Sequence, residues 1–205
     1  MIKPKREPSN PDAQQGTWRR PAGYVGQNHE IMGHTFVAIT QILKLPEQVL
    51  GAETVRLLAG IQAESWYPIA TFLELMGQLE AGVGAAGLVQ VGRRLIKNSM
   101  ERAAKEGRGK PRSARAVLGS LDESYHRTNR GTNIGGWKVT VFEPGRAELE
   151  NNTIHHCAME EGIVSEALRS IGASPHVSQT ECFRKGDRLC RFLITSPLTD
   201  ARWTG

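Results

Sequence analysis

The sequence has no apolar run long enough to cross a bilayer and no apolar segment typical of a secretory signal near residue 1. A transmembrane helix needs roughly 18 or more consecutive apolar residues, and the opening stretch MIKPKREPSNPDAQQG is polar and basic. Cysteine is scarce, with three in 205 residues, which is a poor basis for a disulfide framework. These absences predict a cytoplasmic protein with reduced thiols and no membrane association.

Familiar catalytic motifs are missing as well. The sequence contains no GxSxG and no HExxH. The glycine-rich stretches GVGAAG and GTNIGG lack the lysine of a phosphate-binding loop and the strand–helix context that such a loop requires. Tyr125, His126 and Arg127 are adjacent acid–base groups whose geometry nothing in the sequence defines. No catalytic residue is therefore assigned, and a non-enzymatic role is favoured.

Positive charge is concentrated in two segments of a chain whose formal net charge is +5. Residues 93–115 contain nine Lys or Arg and two Glu, and residues 1–20 contain five basic and two acidic residues. The remainder is mildly acidic, and aromatic residues for base stacking are not interleaved with the basic ones. Nucleic-acid binding through residues 93–115 is therefore a secondary alternative.

Apolar periodicity divides the chain into helices followed by hairpins. Helical spacing predicts helices over 32–43, 47–59, 66–82, 85–104 and 113–126. Alternation then predicts strands on either side of the 143–146 turn, a helix over 158–171 and a second hairpin. The predicted class is α+β, with N-terminal helices packed on an antiparallel sheet of about four strands and a helix between the two hairpins. The predicted organisation is a flexible basic arm (1–28), one domain (29–196) and a tail (197–205).

All three cysteines lie in the last third of the chain. Cys182 precedes the turn glycine Gly186 by four residues and Cys190 follows it by four, so a symmetric hairpin makes the two thiols face each other. The helix that follows Cys157 could bring this third thiol to the same place. Three thiolates and a fourth ligand, Glu181 or His155, would suit zinc, although Glu181 points to the opposite face in a regular strand. From spacing alone, three small buried hydrophobic side chains are favoured.

The apolar stripe of the helix predicted over 66–82 has two interpretations, because it can belong to the core or form the wall of a cavity for a small hydrophobic ligand. The residues predicted to line such a pocket are Trp66, Phe72, Met76, Tyr125 and Trp137.

The stretches GIVSEALRSIG, HVSQTEC, RKGD and CRFLI together resemble the C-terminal part of the 4-vinyl-reductase-like (4VR) small-molecule sensor domain. WYPIATFLELM resembles a helix of this family and of its relatives, the haem nitric-oxide-binding domains and the TRAPP adaptors. The resemblance covers about residues 30–195. It implies a bacterial cytosolic sensor or adaptor, usually a homodimer, with a hydrophobic pocket between helices and sheet. Because the chain does not continue into an ATPase or a DNA-binding domain, we expect it to signal through a partner.

The resemblance also implies a structural zinc held by Cys157, Cys182, Cys190 and a glutamate. The position of that glutamate is occupied here by Gln179, which leaves Glu181 or His155 as substitutes. Haem is not expected, because the sequence lacks the YxSxR motif of the haem-binding relatives. The family's name suggests an alternative function as an enzyme or carrier in tetrapyrrole metabolism.

Overall fold

The computed structural model describes residues 28–109 and 111–205. The N-terminal part is built from helices and two short strands: β1 Glu30–Met32, α1 His34–Ile42, α2 Pro46–Ala59, β2 Trp66–Pro68 and α3 Ile69–Lys105. The C-terminal part contains α4 Ala114–Gly119, α5 Leu121–Thr128, β3 Asn129–Arg130, β4 Trp137–Glu143, β5 Arg146–Asn151, α6 Cys157–Arg169, β6 His176–Glu181, β7 Cys190–Thr195 and α7 Ala201–Thr204. The predicted α+β class is confirmed.

The main sheet has four antiparallel strands in the order β4–β5–β7–β6. Successive side chains of a strand point to opposite faces. In β7, Cys190, Phe192 and Ile194 are accordingly buried, whereas Arg191 and Leu193 are partly exposed. The buried face of the sheet packs against α6, and this places the cysteine of β7 in the core.

A second, smaller sheet has the order β2–β1–β3. Its strands have two or three residues each, too few for a period of two to be visible in the sequence. This sheet was therefore not predicted, and residues 30–32 form a strand immediately before the first helix. Through this smaller sheet, β2, which precedes α3, is joined by β1 to β3, which follows α5.

Helices α3 and α6 cross with their backbones in close contact. At Gly92 a Cβ atom would lie 1.9 Å from the carbonyl oxygen of Met159, and at Gly162 a Cβ would lie 2.1 Å from the carbonyl oxygen of Val89. Real Cβ atoms do not approach other atoms so closely, so each helix requires a glycine at the crossing. The two glycines thus determine how closely the N-terminal and C-terminal parts pack.

The core consists of two hydrophobic clusters on either side of this crossing. One lies under the main sheet and includes Leu149, Phe192 and the α6 residue Val164. The other lies among the helices and includes Phe36 and the α6 residue Met159. Helix α6 therefore contributes buried side chains to both clusters.

The predicted helix boundaries differ from the observed ones where glycine and serine interrupt the chain. The helices predicted over 66–82 and 85–104 form a single element, α3, which is sharply bent at Gly84 (φ 68°, ψ 178°). The helix predicted over 113–126 is divided at Ser120 into α4 and α5. The break predicted between the two helices is therefore present as a kink within α3. It occurs at Gly84 because its positive φ, which other residues rarely adopt, departs from helical geometry.

Within the described ranges, α3 is long and apolar enough to cross a membrane, judged by length and composition alone. The helix bends at Gly84, and eight of its residues are buried in the protein. One such helix is weak evidence for a membrane span.

The structure describes the C-terminal segment of the chain but only one residue of the predicted N-terminal arm. The predicted arm, 1–28, lies outside the described residues except for Asn28. Residues 197–205, predicted to be a tail, end in α7, where the side chain of Trp203 is fully buried. The Trp203 indole N–H donates a hydrogen bond of 2.6 Å to the carbonyl oxygen of Glu143, so this segment packs against the domain.

The helix crossing leads to a stability prediction. We expect Gly162→Ala to lower the free energy of unfolding by about 1–3 kcal/mol, because the new methyl group forces two backbones apart. Gly77→Ala is the matched control, since a Cβ at this exposed position in α3 meets nothing within 4 Å. The control should be neutral or stabilising by up to about 1 kcal/mol. Urea denaturation measures both variants, and a Gly162→Ala protein as stable as the wild type would contradict the role assigned to the crossing.

Candidate functional site

A cavity of about 250 Å³ lies between α1, the second half of α3, α5 and the first turns of α6. This volume is just below the roughly 300–1,000 Å³ typical of pockets that hold drug-sized ligands, so the cavity suits a smaller molecule. Apolar side chains form much of its wall: Ile31, Val37, Ala38, Leu95, Ile96 and Leu121.

Arg102 and His34 form one polar group in the cavity wall. Nη2 of Arg102 lies 3.1 Å from Nε2 of His34. Burial, followed by the nearby positive charge of Arg102, lowers the pKa of His34 from 6.5 to about 4. The imidazole is therefore neutral near pH 7.

The tautomer of His34 follows from its partner. A guanidinium group can only donate hydrogen bonds, so Nε2 of His34 is the acceptor and Nδ1 carries the proton. Nδ1 of His34 is buried and has no hydrogen-bond partner among the described residues, and the same is true of Nε of Arg102. An unsatisfied buried donor costs about 1–3 kcal/mol. The cavity wall thus has two donors that lack an acceptor.

A second polar group surrounds His155, whose side chain is 6% exposed. The amide nitrogen of Asn129 donates to the backbone carbonyl of Tyr125 at 2.9 Å. The Asn129 oxygen consequently accepts from Nε2 of His155 at 3.0 Å. On the other side of the ring, Nδ1 lies 3.4 Å from a carboxylate oxygen of Glu160, which accepts a 2.8 Å hydrogen bond from the hydroxyl of Thr153.

The three cysteines form a buried cluster. Sγ of Cys157 lies 3.1 Å from Sγ of Cys190 and 3.7 Å from Sγ of Cys182, and all three sulfurs lie within 4.8 Å of one another. Burial, followed by the neighbouring Cys157, raises the pKa of the Cys182 thiol. The cluster could hold a metal ion, which would favour the deprotonated thiolates.

The hairpin brings two of these sulfurs together as the sequence indicated. Glu181 pairs with Arg191 in the register of β6 and β7, which continues to Cys182 opposite Cys190. Gly186 adopts the left-handed conformation (φ 101°), and a carboxylate oxygen of Asp187 accepts a 2.7 Å hydrogen bond from the backbone N–H of Cys182. The closed turn holds Cys182 at the end of its strand.

The candidates for a fourth metal ligand have other partners. Glu181 accepts a 3.0 Å hydrogen bond from Arg191, which lies on the face of β7 opposite to Cys190. His155 contacts Asn129 and Glu160 in the cavity wall. The structure therefore brings together the three predicted cysteines and places Glu181 and His155 elsewhere.

Gln179 lies on the same face of the sheet as the cysteines, because it pairs with the buried Phe192. Its amide nitrogen is buried and has no hydrogen-bond partner among the described residues. His156 is engaged near the cluster, since Nδ1 accepts from the backbone N–H of Ala158 and Nε2 lies 3.1 Å from Glu80. Burial, followed by the charge of Arg184, lowers the pKa of His156.

Of the five residues predicted to line a pocket, Tyr125 and Trp137 line the cavity. Phe72 and Met76 lie instead in the helical core, where the ring of Phe72 packs edge-on against Phe36. Trp66 lies in the small sheet beneath the guanidinium of Arg130, 4.2 Å from its ring centroid. The first half of α3 therefore belongs to the core, and the second half contributes both to the core, through Leu88 and Val91, and to the cavity wall.

Three polar residues of the cavity, His34, Arg102 and Glu160, were not predicted as site residues. Arg102 lies in the basic segment 93–115, for which the sequence offered only nucleic-acid binding as a secondary alternative. The sequence does contain an indication for Glu160, because this residue falls on the buried apolar face of α6 together with Cys157 and Val164. A carboxylate on an apolar helix face indicates a buried polar interaction.

Comparisons with known proteins place this architecture among solved structures. No family model matches the sequence, and no curated protein matches it. A structure of an Fe(II) unliganded H-NOX protein from K. algicida matches with a TM-score of 0.62 and 13% identity, covering 81% of this chain and 96% of that one. An H-NOX domain from Shewanella oneidensis in the Fe(II)CO ligation state matches with a TM-score of 0.61 and 13% identity, covering 81% and 98%. The chain has the H-NOX fold.

A third match is a structure from a study of heme distortion in the H-NOX family, with a TM-score of 0.61 and 15% identity, covering 85% of this chain and 100% of that one. The predicted relation to haem nitric-oxide-binding domains is thus confirmed at the level of the fold, and the 4VR assignment stays a prediction. The prediction that haem is unlikely conflicts with these matches and is wrong. It depended on one missing motif, whereas the H-NOX structures with the same fold are in Fe(II), Fe(II)CO and Fe(II)NO states.

The cavity contains side chains of the kinds that hold a haem. Histidine and tyrosine ligate haem iron in proteins, and His155 and Tyr125 both line the cavity. The Glu160 carboxylate beside Nδ1 of His155 is the type of neighbour that orients an imidazole ligand. Arg102 supplies donors for a carboxylate. These side chains have other partners, however, because Nε2 of His155 donates to Asn129 and the Tyr125 hydroxyl donates to the carbonyl oxygen of Ile134. The cavity of about 250 Å³ is also smaller than a haem, so a haem would have to displace these contacts and enlarge the cavity.

The lowered pKa of His34 generates a prediction of pH dependence. The unfolded chain binds a proton at His34 below pH 6.5, whereas the folded protein does so only near pH 4. Stability conferred by the neutral ring should therefore be present above pH 6.5 and decrease as the pH falls toward 4. We expect the urea midpoint to fall less between about pH 7 and about pH 5 in His34→Gln than in the wild type. His126→Gln, at an exposed position, should retain the wild-type slope, and equal slopes in all three proteins would contradict the assignment.

Proposed function

We propose that this chain is a cytoplasmic sensor domain that binds a small, largely apolar ligand in the cavity between α1, the second half of α3, α5 and the start of α6. The single observation that carries this proposal is the cavity itself, which combines an apolar wall with the two polar groups around Arg102 and His155. Such a combination is typical of ligand sites, because apolar area provides affinity and a few polar groups orient the ligand.

Haem is one candidate for this ligand, and the H-NOX fold supports it. To contact the iron, His155 would have to give up its contact with Asn129, or Tyr125 its hydrogen bond to the carbonyl of Ile134. Arg102 would pair with a carboxylate of the macrocycle. A bound haem would supply an iron centre for small gases such as the CO and NO found in the H-NOX structures. Glu160 would keep the imidazole of His155 oriented, and the apolar wall would exclude water from the site.

The cysteine cluster has a separate structural role in this proposal. We propose that Cys157, Cys182 and Cys190 bind a metal ion that joins the start of α6 to the β6–β7 hairpin. Thiolate sulfur is a preferred zinc ligand, so zinc is the ion to test. The fourth position would be filled by water or by a group outside the described residues.

A sensor must pass its signal on, and the proposal includes a homodimer that acts through a partner protein. Leu45 and Leu57 are large apolar side chains with exposed fractions of 58% and 66%. Leu45 lies just before α2 and Leu57 in its last turn, and a dimer contact at the end of α2 would cover Leu57. Sedimentation analysis of wild type and Leu57→Gln tests the dimer, which the variant should weaken.

Filling the cavity should abolish ligand binding. Ser99 lines the cavity from α3, and Ala104 is exposed on the same helix. We expect Ser99→Phe to weaken the binding of 4-nitrotoluene by about tenfold or more, because the ring occupies the volume that the probe needs. Quenching of tryptophan fluorescence measures binding, since Trp137 also lines the cavity. Ala104→Phe should bind like the wild type, and equal binding by both variants would place the probe elsewhere.

Metal analysis tests the cysteine cluster. Protein purified in the presence of zinc should contain about one zinc per chain. Replacement of any one of the three cysteines by alanine should reduce this content by at least about fivefold, because two thiolates cannot hold the ion tightly. Glu181→Gln is the control and should retain the zinc, since Glu181 pairs with Arg191. A wild-type content below about 0.1 zinc per chain would exclude the site.

A further inference from the structure

We propose that the cavity ligand carries a carboxylate, which binds at the end of the cavity formed by Arg102 and His34, while the apolar body of the ligand occupies the rest of the volume. This inference rests on the proposed function, because it assigns a chemical class to the ligand of the same cavity. Nothing in the sequence motifs or in the fold comparison specifies such a group at these two residues.

Two buried donors at this end of the cavity lack an acceptor. Nδ1 of His34 and Nε of Arg102 are both buried without a hydrogen-bond partner in the part of the chain that the structure describes. The two residues contact each other at 3.1 Å and both line the cavity. Buried donors in native proteins are nearly always paired with protein, water or ligand. The acceptor they lack is therefore expected to come from the cavity's occupant.

The charge of Arg102 favours a negatively charged ligand group. Arg102 carries a permanent positive charge, and its side chain is only 31% exposed. Its Nε forms an ion pair with the half-exposed carboxylate of Glu106 at 3.7 Å, beyond hydrogen-bonding distance. The positive charge is thus partly compensated, and its hydrogen-bonding capacity is not filled by Glu106. A planar guanidinium is suited to a carboxylate, which can accept two of its N–H groups at once.

The carboxylate of Glu160, which also lines the cavity, does not compete with a ligand for the donors of Arg102. Glu160 also lines the cavity, but its carboxylate accepts from the Thr153 hydroxyl at 2.8 Å and lies 3.4 Å from the His155 ring. Both polar contacts of Glu160 stay within the second polar group. The donors of Arg102 therefore remain available to an incoming anion.

The cavity wall indicates that the rest of the ligand is apolar. The wall between the polar groups consists mainly of aliphatic side chains such as Val37, Leu95 and Leu121. With a cavity of about 250 Å³, a one-ring aromatic acid fits without a change in the wall. Carboxylates on a larger apolar ligand, such as the propionates of haem, have the same chemistry at Arg102, and the test must distinguish these two sources.

The experiment compares ligands that differ in charge but not in shape. We would titrate 4-methylbenzoate and its uncharged isostere 4-nitrotoluene into the wild type, Arg102→Gln and Lys105→Gln. Lys105 is exposed, lies on the same helix and does not line the cavity. We expect Arg102→Gln to weaken 4-methylbenzoate by about tenfold or more and 4-nitrotoluene by less than about threefold. Lys105→Gln should change neither affinity.

A second pair of probes identifies the source of the carboxylate. Haemin and haemin dimethyl ester have the same macrocycle, but the ester lacks free carboxylates. A loss of affinity in Arg102→Gln that is confined to haemin and absent with the ester would support a haem carboxylate at Arg102. The same loss confined to 4-methylbenzoate would support a small aromatic acid.

The outcomes separate the inference from the proposed function. Equal effects of Arg102→Gln on the charged and uncharged member of both pairs would overturn the carboxylate while leaving a ligand-binding cavity intact. Absence of binding by all four probes to the wild type would overturn both. His34→Leu, which removes the second donor, should weaken the carboxylate probe selectively, and it provides the decisive comparison if Arg102→Gln does not fold.

Discussion

The close crossing of α3 and α6 is the constraint on which the rest of the structure depends. Gly92 and Gly162 allow the two backbones to touch, and every other relation between the helical part and the sheet follows from that contact. Helix α6 lies between the two hydrophobic clusters and supplies side chains to both. A wider crossing would separate the clusters and would displace the second half of α3, which forms one wall of the cavity.

The cavity differs from an ordinary packing defect in the chemistry of its wall. An empty apolar void loses only dispersion contacts, whereas a void bordered by unpaired donors also carries a desolvation cost. Arg102 and His34 border the cavity with such donors, whereas His155 lies beside Asn129 and Glu160. A void bordered by donors of this kind is typical of a binding site.

The sequence predicted those features that depend on local spacing. The α+β class, the kink near Gly84 and the meeting of Cys182 with Cys190 around Gly186 all follow from periodicity or from turn chemistry. The cavity could not be predicted in the same way, because Arg102 and His34 are 68 residues apart and only the crossing of α3 with its neighbours brings them together. A long basic side chain on a helix gives no sign in the sequence of whether its head group lies in water or against a cavity.

The order of residues at the start of α6 has a consequence for where the two sites lie. His155 contacts the aromatic rings of Phe72 and Tyr125, while Cys157, two residues later, belongs to the sulfur cluster with Cys190. The wall of the cavity and the sulfur cluster are therefore neighbours along the chain, separated by the single residue His156. Because Cys157 and Cys190 also belong to the hydrophobic cluster under the main sheet, the start of α6 is the place where cavity, sulfur cluster and core meet.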